Sequence, residues 1–285
     1  MKKIIVCLLG VLLLTGCVFN TDDFSDKYTY TTIYPVEYIT SYLYGNYSNV
    51  TSIYPNDCDI ETYELTDKQI SKYASGSKFI YTLANEVMTA VDIVNKNKNI
   101  QVIHASKGMS FKNGQEELWM DPSNYLMMAL NIKNGLLEYE TAVYNEKDIN
   151  AAYGELKEKI SELDVSYTLL GKNGKYNTLL VANNMFKYLE KYSINVLSID
   201  STNEDNTKAY TEANKLIADG AIKYLYKIKG TILDEKIQKF VDEKQLEVVD
   251  IDTAINLSES QRTNGDDYLS IANNNIEQLK KELFK

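Results

Sequence analysis

The chain has 285 residues and a formal net charge of −10, and this length is sufficient for one large domain or two moderate lobes. The acidic charge argues against nucleic acid and against an anionic lipid surface as binding partners. With one histidine and three cysteines, the chain has few side chains for acid–base chemistry or for a disulfide framework.

The N-terminal residues 1–17 have the features of a bacterial lipoprotein signal peptide. Two lysines precede a short apolar run, Ile4 to Leu14, which is too short to remain as a membrane span. The sequence Leu-Leu-Thr-Gly-Cys that follows resembles a lipobox, and this resemblance implies that Cys17 becomes the lipidated first residue. Two or more acyl chains give stable anchoring. We therefore expect a lipid anchor on the extracytoplasmic face of a bacterial cell membrane, with residues 18–27 as a tether. The alternative is an ordinary cleaved signal next to an unrelated cysteine.

Beyond the tether, segments rich in β-branched and aromatic residues alternate with segments of helical periodicity. The predicted strands of the first half are 28–35, 49–54, 78–83 and 100–105, and the helices between them are 36–44, 66–74 and 84–95. Two long helices follow, one after Pro122 and one over 149–170. The second half has predicted strands at 178–182, 195–199, 222–226 and 246–251, with helices at 184–191, 207–219, 232–244 and 266–284.

Strands that alternate with helices predict parallel sheets, so the expected fold class is α/β. We expect two α/β lobes joined by a long connecting helix. The N-terminal lobe is expected over 28–148, the connecting helix over 149–172 and the C-terminal lobe over 173–285.

Several segments, in order along the chain, resemble the metal-binding lipoproteins of the cluster-9 (manganese/zinc/iron) ABC importers. They are TTIYP at 31–35, YELTDKQI at 63–70, LWMDPSN at 118–124, NAAY at 150–153, FKYL at 186–189 and DTA at 252–254. The resemblance covers nearly all of residues 28–285. It implies a metal-type periplasmic-binding-protein fold that holds a divalent cation between two lobes and passes it to an ABC permease in the membrane. It also implies only a small closure of the lobes; we further expect a monomer.

The family's metal ligands are His, His, then His or Glu, then Asp, and this chain departs from that set. By position within the resembling segments, the ligands fall on Glu61, Glu117, Asn183 and Asp252. Three carboxylates and one amide form a hard donor set, which suits Mn²⁺, Ca²⁺ or Mg²⁺ better than Zn²⁺. The resemblance keeps zinc open as the transported metal. Without a cation, clustered carboxylates repel, and the pKa of at least one should rise.

Each of these residues also has an ordinary structural explanation. Glu61 fits a helix cap or a solvated position, and Glu117 follows Glu116 in a pair typical of solvated loops. Asn183 fits the cap of the next helix. Asp252 is the position that keeps the family's residue type.

Two other potential donors are interpreted as structural. His104 lies in a predicted strand where the family has no ligand. Cys58 lies between Asp57 and Asp59, whose charges should raise the pKa of its thiol and disfavour the thiolate. Cys58 stays open as a rival donor, because a thiolate ligand would shift the preference toward zinc or iron.

The chain shows no GxSxG, P-loop, GxGxxG or CxxC motif and no second histidine, so an enzyme is not expected. The leading hypothesis is a lipid-anchored solute-binding protein that captures a divalent cation. One alternative is a metal-free derivative of the scaffold that acts as a surface adhesion or interaction lipoprotein. Another is a transport protein in which some of the 23 tyrosines form a cage for a small organic cation. Convergence of the four ligand positions within about 5 Å, the reach of a shared ion, discriminates among them.

Overall fold

The computed structural model describes residues 27–83 and 86–285. The signal peptide, the lipidated Cys17 and all of the tether except Lys27 lie outside the described residues, so these interpretations stay predictions. None of the helices in the described part is both long and apolar enough to cross a membrane.

The N-terminal lobe is a parallel sheet with connecting helices. Its strands are β1 (Tyr28–Thr31), β2 (Asn49–Ser52), β3 (Lys78–Tyr81) and β4 (Gln101–His104), and its helices are α1 (Tyr34–Tyr44), α2 (Asp67–Ala74), α3 (Glu86–Lys96), α4 (Glu117–Met120) and α5 (Pro122–Tyr139). The spatial order of the four strands is β2-β1-β3-β4, and all pairs are parallel.

The C-terminal lobe repeats this topology. Its strands are β5 (Thr178–Val181), β6 (Asn195–Ser198), β7 (Tyr224–Ile228) and β8 (Glu247–Ile251), in the spatial order β6-β5-β7-β8, again all parallel. Its helices are a 3-10 helix (Asn184–Tyr192), α7 (Asn206–Ala218), α8 (Glu235–Lys244), α9 (Glu259–Asn264) and α10 (Tyr268–Leu283). The remaining helix, α6 (Val143–Asn173), connects the lobes. The two parallel sheets confirm the predicted α/β fold class.

Local capping explains where several helices begin. Thr66 and Gln69 form a reciprocal capping box at the start of α2. The Asp121 carboxylate accepts the N–H of Ser123 and caps α5, whose first residue is Pro122. Asp234 caps α8, so this helix begins at Glu235 and not at residue 232, as periodicity alone predicts.

The connecting helix α6 begins at Val143, earlier than the predicted residue 149. Its buried residues Leu156, Ile160 and Tyr167 recur at helical spacing and face the interior. They belong to one apolar core that extends from Ile39 of α1 to Ile276 of α10. Because the lobes share this core, large independent movements of the lobes are disfavoured.

The loop that follows β8 is hydrogen-bonded to the N-terminal lobe. Trp119 donates its indole N–H to the carbonyl oxygen of Thr253 at 2.7 Å. The backbone N–H of Tyr34 donates to the carbonyl oxygen of Ile255 at 3.0 Å. These bonds hold the end of β8, and therefore Asp252, at the boundary between the lobes.

Arg262 of α9 adds an ion pair across the same boundary. Its Nη1 and Nη2 donate to Oε1 and Oε2 of Glu37 on α1, each at 2.8 Å. Its Nε donates to the side-chain oxygen of Asn56 at 2.6 Å, and its guanidinium lies 5.4 Å from the ring centroid of Tyr34. This bidentate geometry is the strongest form of a carboxylate pair, so it fixes α9 against the N-terminal lobe.

Candidate functional site

Asn183 and Asp252 come just after the ends of β5 and β8, whereas Glu61 lies in the loop well beyond β2 and Glu117 is the first residue of α4. Carboxyl ends of parallel strands share one edge of a sheet, where open α/β folds place their ligands. Gly114 of the N-terminal lobe packs directly against Met185 in the 3-10 helix of the C-terminal lobe. A side chain at position 114 would have its Cβ only 3.0 Å from the Cβ of Met185. The same added Cβ would lie 2.7 Å from Oε2 of Glu116. Glu116 therefore lies at the boundary itself.

Glu117 is buried, and its carboxylate is bound to the preceding loop. Oε2 accepts the backbone N–H of Lys112 at 2.9 Å, and Oε1 accepts the side-chain N–H of Asn113 at 2.6 Å. Both oxygens thus have protein donors, which compensates the cost of burying the charge. In this structure the side chain stabilises the loop before α4.

Glu116, not singled out as a ligand from the sequence, is the residue whose charge interacts with that of Glu61. Burial raises the pKa of the Glu116 carboxyl, and the nearby charges of Glu61 and Glu117 raise it further. The Glu61 side chain is exposed. The raised pKa thus falls on Glu116, and burial is its main cause, with the neighbouring carboxylates as a smaller contribution. The pattern Glu-Glu before the Leu-Trp segment is the sequence signal that marks this pair.

Asn183 is at the N-cap position of the 3-10 helix, but its side chain does not cap that helix. Its Oδ1 instead accepts the backbone N–H of Ile228, the last residue of β7, at 3.1 Å. The amide oxygen that was predicted to bind a metal is thus part of the hydrogen bonding between the ends of β5 and β7.

Asp252 has a protein donor on each carboxylate oxygen. Oδ1 accepts the N–H of Ala254 at 2.9 Å, while Oδ2 accepts from Lys229 Nζ at 2.7 Å and from Gln261 Nε2 at 2.9 Å. The Asn275 side chain is bonded to both backbone groups of Asp252. The carboxylate is therefore held in a fixed position, with an ammonium group as its counter-ion.

Within residues 27–83 and 86–285, no group of three or more His, Cys, Asp or Glu side chains is placed to hold a metal ion. The ligand set of Glu61, Glu117, Asn183 and Asp252 stays a prediction. The oxygens of Glu117, Asn183 and Asp252 already accept hydrogen bonds from protein donors, so a cation bound there would use their remaining lone pairs or displace a donor.

The two rival donors have structural surroundings. The His104 ring is stacked on that of Tyr81, with centroids 4.6 Å apart, and its Nε2 lies 3.2 Å from the Ser106 hydroxyl. Burial raises the pKa of the Cys58 thiol, and the charge of Asp59 raises it further, as the sequence predicts.

Two polar cavities adjoin the candidate site. One, of about 560 Å³, lies between the lobes and is lined by Lys112, Asn113 and polar residues of segments 184–190 and 202–205. The other, of about 720 Å³, lies beside Asp252 and is lined by polar groups that include Lys229 and Gln261. Neither lining contains a tyrosine, so these cavities do not form the aromatic cage that an organic cation requires.

Comparison of the sequence with known proteins identifies one family and a set of related zinc-binding proteins. The family described as zinc-uptake complex component A, periplasmic (ZnuA) matches residues 29–282. The zinc-binding protein AdcA of Streptococcus pyogenes serotype M6 is 23% identical over 286 residues, which cover 88% of this chain and 55% of AdcA. The chain thus spans about half the length of the curated relatives that it matches.

Solved structures confirm the fold. The Zn(II)-bound ZnuA-like domain of Streptococcus pneumoniae AdcA superimposes with a TM-score of 0.72 at 19% identity, over 92% of this chain and 100% of that domain. The metal-dependent lipoprotein YcdH of Bacillus subtilis has a TM-score of 0.74 at 18% identity, over 91% of this chain and 100% of its own. At this level of identity the likeness establishes the two-lobed architecture with its long connecting helix.

Proposed function

Because this chain belongs to the ZnuA family of periplasmic zinc-uptake components, whose members are substrate-binding proteins and not enzymes, we propose that it is the solute-binding protein of an ABC importer. Family membership confirms the resemblance to cluster-9 metal-binding proteins and the expectation that the chain is not an enzyme. The proposed role is to capture a divalent cation outside the membrane and deliver it to a permease.

The proposed location is the extracytoplasmic face of the cell membrane, with Cys17 as the lipidated residue. The lipobox-like sequence before Cys17 supports this, and one solved structure of the same fold is named a lipoprotein. The apolar core shared by the lobes favours a small closure upon binding, so delivery depends on docking of the lobes and not on a wide hinge movement.

The proposed cargo is a cation of the manganese and zinc class. Relatives of this chain are named zinc-binding, which makes Zn²⁺ the first metal to test. The predicted ligand positions of this chain carry oxygen donors and no imidazole, which favours Mn²⁺ or Ca²⁺ over the family's usual preference. The order of affinity for these metals depends on the donor set, and it can be measured by titration of each metal.

One finding carries the proposal: the zinc-uptake ZnuA family matches residues 29–282 of this chain. The acids near the lobe boundary are consistent with it, because Glu116 is partly buried and the charges of Glu61 and Glu117 add to the rise that burial causes in its pKa. Like charges held together in a partly buried position are stabilised by a bound cation. In the proposed site, acids of the N-terminal lobe attract the cation. Oxygen donors of the C-terminal lobe complete its coordination, and Asp252 is the charged one among them.

The test is a thermal-unfolding panel on the metal-stripped mature chain with Zn²⁺, Mn²⁺, Ca²⁺, Mg²⁺ and Fe²⁺. A metal at about 100 times its Kd stabilises the native state by about 2.7 kcal/mol, which raises the Tm by several degrees. The double variant Glu61→Gln, Glu116→Gln should lose most of this rise. Glu158→Gln on the exposed face of α6 is the control and should retain it.

A second candidate function is a surface interaction lipoprotein on a metal-free form of this scaffold. The observation that favours it is that the Glu117 carboxylate is hydrogen-bonded to Lys112 and Asn113 and the Asp252 carboxylate is paired with Lys229, so the fold does not depend on a metal. If none of the five metals raises the Tm and the metal-free protein is stable, the interaction lipoprotein becomes the better-supported function.

A further inference from the structure

We propose that Lys229 is a tethered cation that competes with the transported metal for the Asp252 carboxylate and thereby weakens metal binding. This inference rests on the proposed function and concerns the control of affinity at the same site. It assigns a role to a residue that lies outside the predicted ligand set.

The register of the sheet places Lys229 beside Asp252. Strands β7 and β8 are parallel, with Ile228 paired to Ile251. Lys229 follows Ile228 and Asp252 follows Ile251, so the two residues leave the sheet side by side. The backbone N–H of Lys229 donates to the carbonyl oxygen of Ile251 at 2.9 Å, which continues the pairing to this point.

The two oxygens of Asp252 have different surroundings. Oδ1 is bound only to the backbone N–H of Ala254, whereas Oδ2 receives the ammonium of Lys229 and the amide of Gln261. Since Gln261 and the backbone are neutral, Lys229 supplies the positive charge that balances Asp252 among the described residues. Oδ2 is thus the oxygen for which the ammonium and an incoming cation compete.

Exposure shows that this ammonium is displaceable. The Lys229 side chain is 51% exposed, whereas that of Asp252 is 18% exposed. The backbone of Asp252 is held by the Asn275 side chain and its carboxylate by Ala254 and Gln261, while the lysine lies beside the cavity of about 720 Å³. Displacement therefore moves the lysine into solvent and leaves Asp252 in place.

A second lysine–aspartate pair on the same strands provides a matched control. Lys227 Nζ lies 2.7 Å from Asp250 Oδ1, and the two residues are direct partners in the β7–β8 register. This pair has the same chemistry and the same distance, but its lysine is 15% exposed and its aspartate 51% exposed, and neither residue is a predicted ligand.

The experiment is calorimetric titration of Zn²⁺ and of Mn²⁺ into the metal-stripped mature chain, with the wild type, Lys229→Met and Lys227→Met compared at one salt concentration. A half-exposed ion pair has a modest free energy, so we expect Lys229→Met to bind metal roughly fivefold more tightly. Lys227→Met should match the wild type. Equal Kd values for Lys229→Met and the wild type, or the same gain in Lys227→Met, would overturn the inference.

A second readout separates competition from a structural role. Without metal, Lys229→Met should have a lower Tm than the wild type, because Asp252 loses its counter-ion, and saturating metal should abolish this difference. A Tm deficit that persists at saturating metal assigns Lys229 a structural role and overturns the inference.

The outcomes for the proposed function are distinct. Metal binding by Lys229→Met alone supports the inference and shows that the native chain is not a metal carrier. Binding by the wild type with no gain in Lys229→Met supports the carrier and overturns the inference. Absence of binding in all three proteins overturns both.

Discussion

The two lobes have the same strand order, yet their acidic residues are neutralised in different ways. In the C-terminal lobe, lysines of the same lobe pair with the acids: Lys229 with Asp252, Lys227 with Asp250 and Lys285 with Glu282. In the N-terminal lobe, no ion pair among the described residues engages Glu61, Glu86, Glu116 or Glu117. Glu37 of that lobe is paired, but its partner Arg262 comes from the other lobe.

This difference shows that the positions of nearby lysines decide which acidic residues have an ionic partner. The N-terminal lobe is left with carboxylates that have no ionic partner among the described residues, and the proposed cation binding depends on them. The C-terminal lobe contributes Asp252, an acid that already has a lysine as its counter-ion. The following changes test this contrast, from the largest expected effect to the smallest.

Removing the Arg262 guanidinium, which the C-terminal lobe supplies to Glu37, should have the largest effect on stability. Arg262→Met leaves a carboxylate that is 9% exposed without its bidentate partner. Loss of one partner of a buried pair costs roughly 3 kcal/mol in the free energy of unfolding. Urea unfolding measures this loss. Lys208→Met, which removes a solvent-exposed pair with Asp205, is the control and should leave the free energy of unfolding almost unchanged. Equal costs for the two variants would contradict a buried interlobe pair.

Glu86 is a buried acid of the N-terminal lobe without an ionic partner among the described residues. Its Oε2 accepts the N–H groups of Thr82 and Leu83, and burial raises its pKa to about 7. The folded-state pKa lies above the ordinary value of 4.5, so the native state holds the proton between these two values. Stability from this group should therefore decrease as the pH rises from about 4.5 to 7.

Glu86→Gln tests this dependence, since an amide accepts the same N–H groups and carries no charge at any pH. We expect the variant to be more stable than the wild type by roughly 2 kcal/mol at pH 8, with little difference at pH 4.5. Chemical unfolding at the two pH values measures the gain. A gain of equal size at both would show that repacking, and not the charge, is responsible.

The metal affinity should depend on Asp252 more than on any other acid of the C-terminal lobe. Asp252→Asn keeps the hydrogen bond from Ala254 and removes the charge, and we expect the Kd for the preferred metal to rise at least tenfold, or about 1.4 kcal/mol. Asp250→Asn is the control. Calorimetry decides this, and unchanged affinity in Asp252→Asn would falsify the assignment of Asp252 to the site.

The smallest effect concerns repulsion within the N-terminal lobe. Without metal, Glu116→Gln should raise the free energy of unfolding by about 0.5 kcal/mol at neutral pH, because it removes a charge that Glu61 and Glu117 oppose. With metal the same variant should bind less tightly. A destabilised metal-free variant would indicate that Glu116 is balanced by an attractive interaction instead.

The course of strands and helices was largely predictable, because hydrophobic periodicity and capping are local properties. The two short helices α4 and α9 were not predicted, since four and six residues are too few to show a helical period. The 3-10 form of Asn184–Tyr192 was also missed, because its apolar residues satisfy an α-helical pattern equally well.

The candidate site was only partly predictable. The sequence placed Asn183 and Asp252 directly after predicted strands, and the structure confirms that β5 and β8 end just before them. It selected Glu117 by its distance from Trp119, whereas the structure turns Glu117 toward Lys112 and Asn113 and leaves Glu116 near Glu61. Adjacent residues in a short helix point in different directions, and no sequence pattern records which of the two faces the boundary.

The amino-acid sequence by itself determined the α/β alternation and the family, because both depend on residue type and spacing along the chain. Only the tertiary structure decided which acids are neutralised. Lys229 and Asp252 are 23 positions apart and meet because β7 and β8 are parallel in one register. Glu37 and Arg262 are 225 positions apart and meet because the lobes share one core. Charge pairing of this kind depends on distances through space, which the fold alone sets.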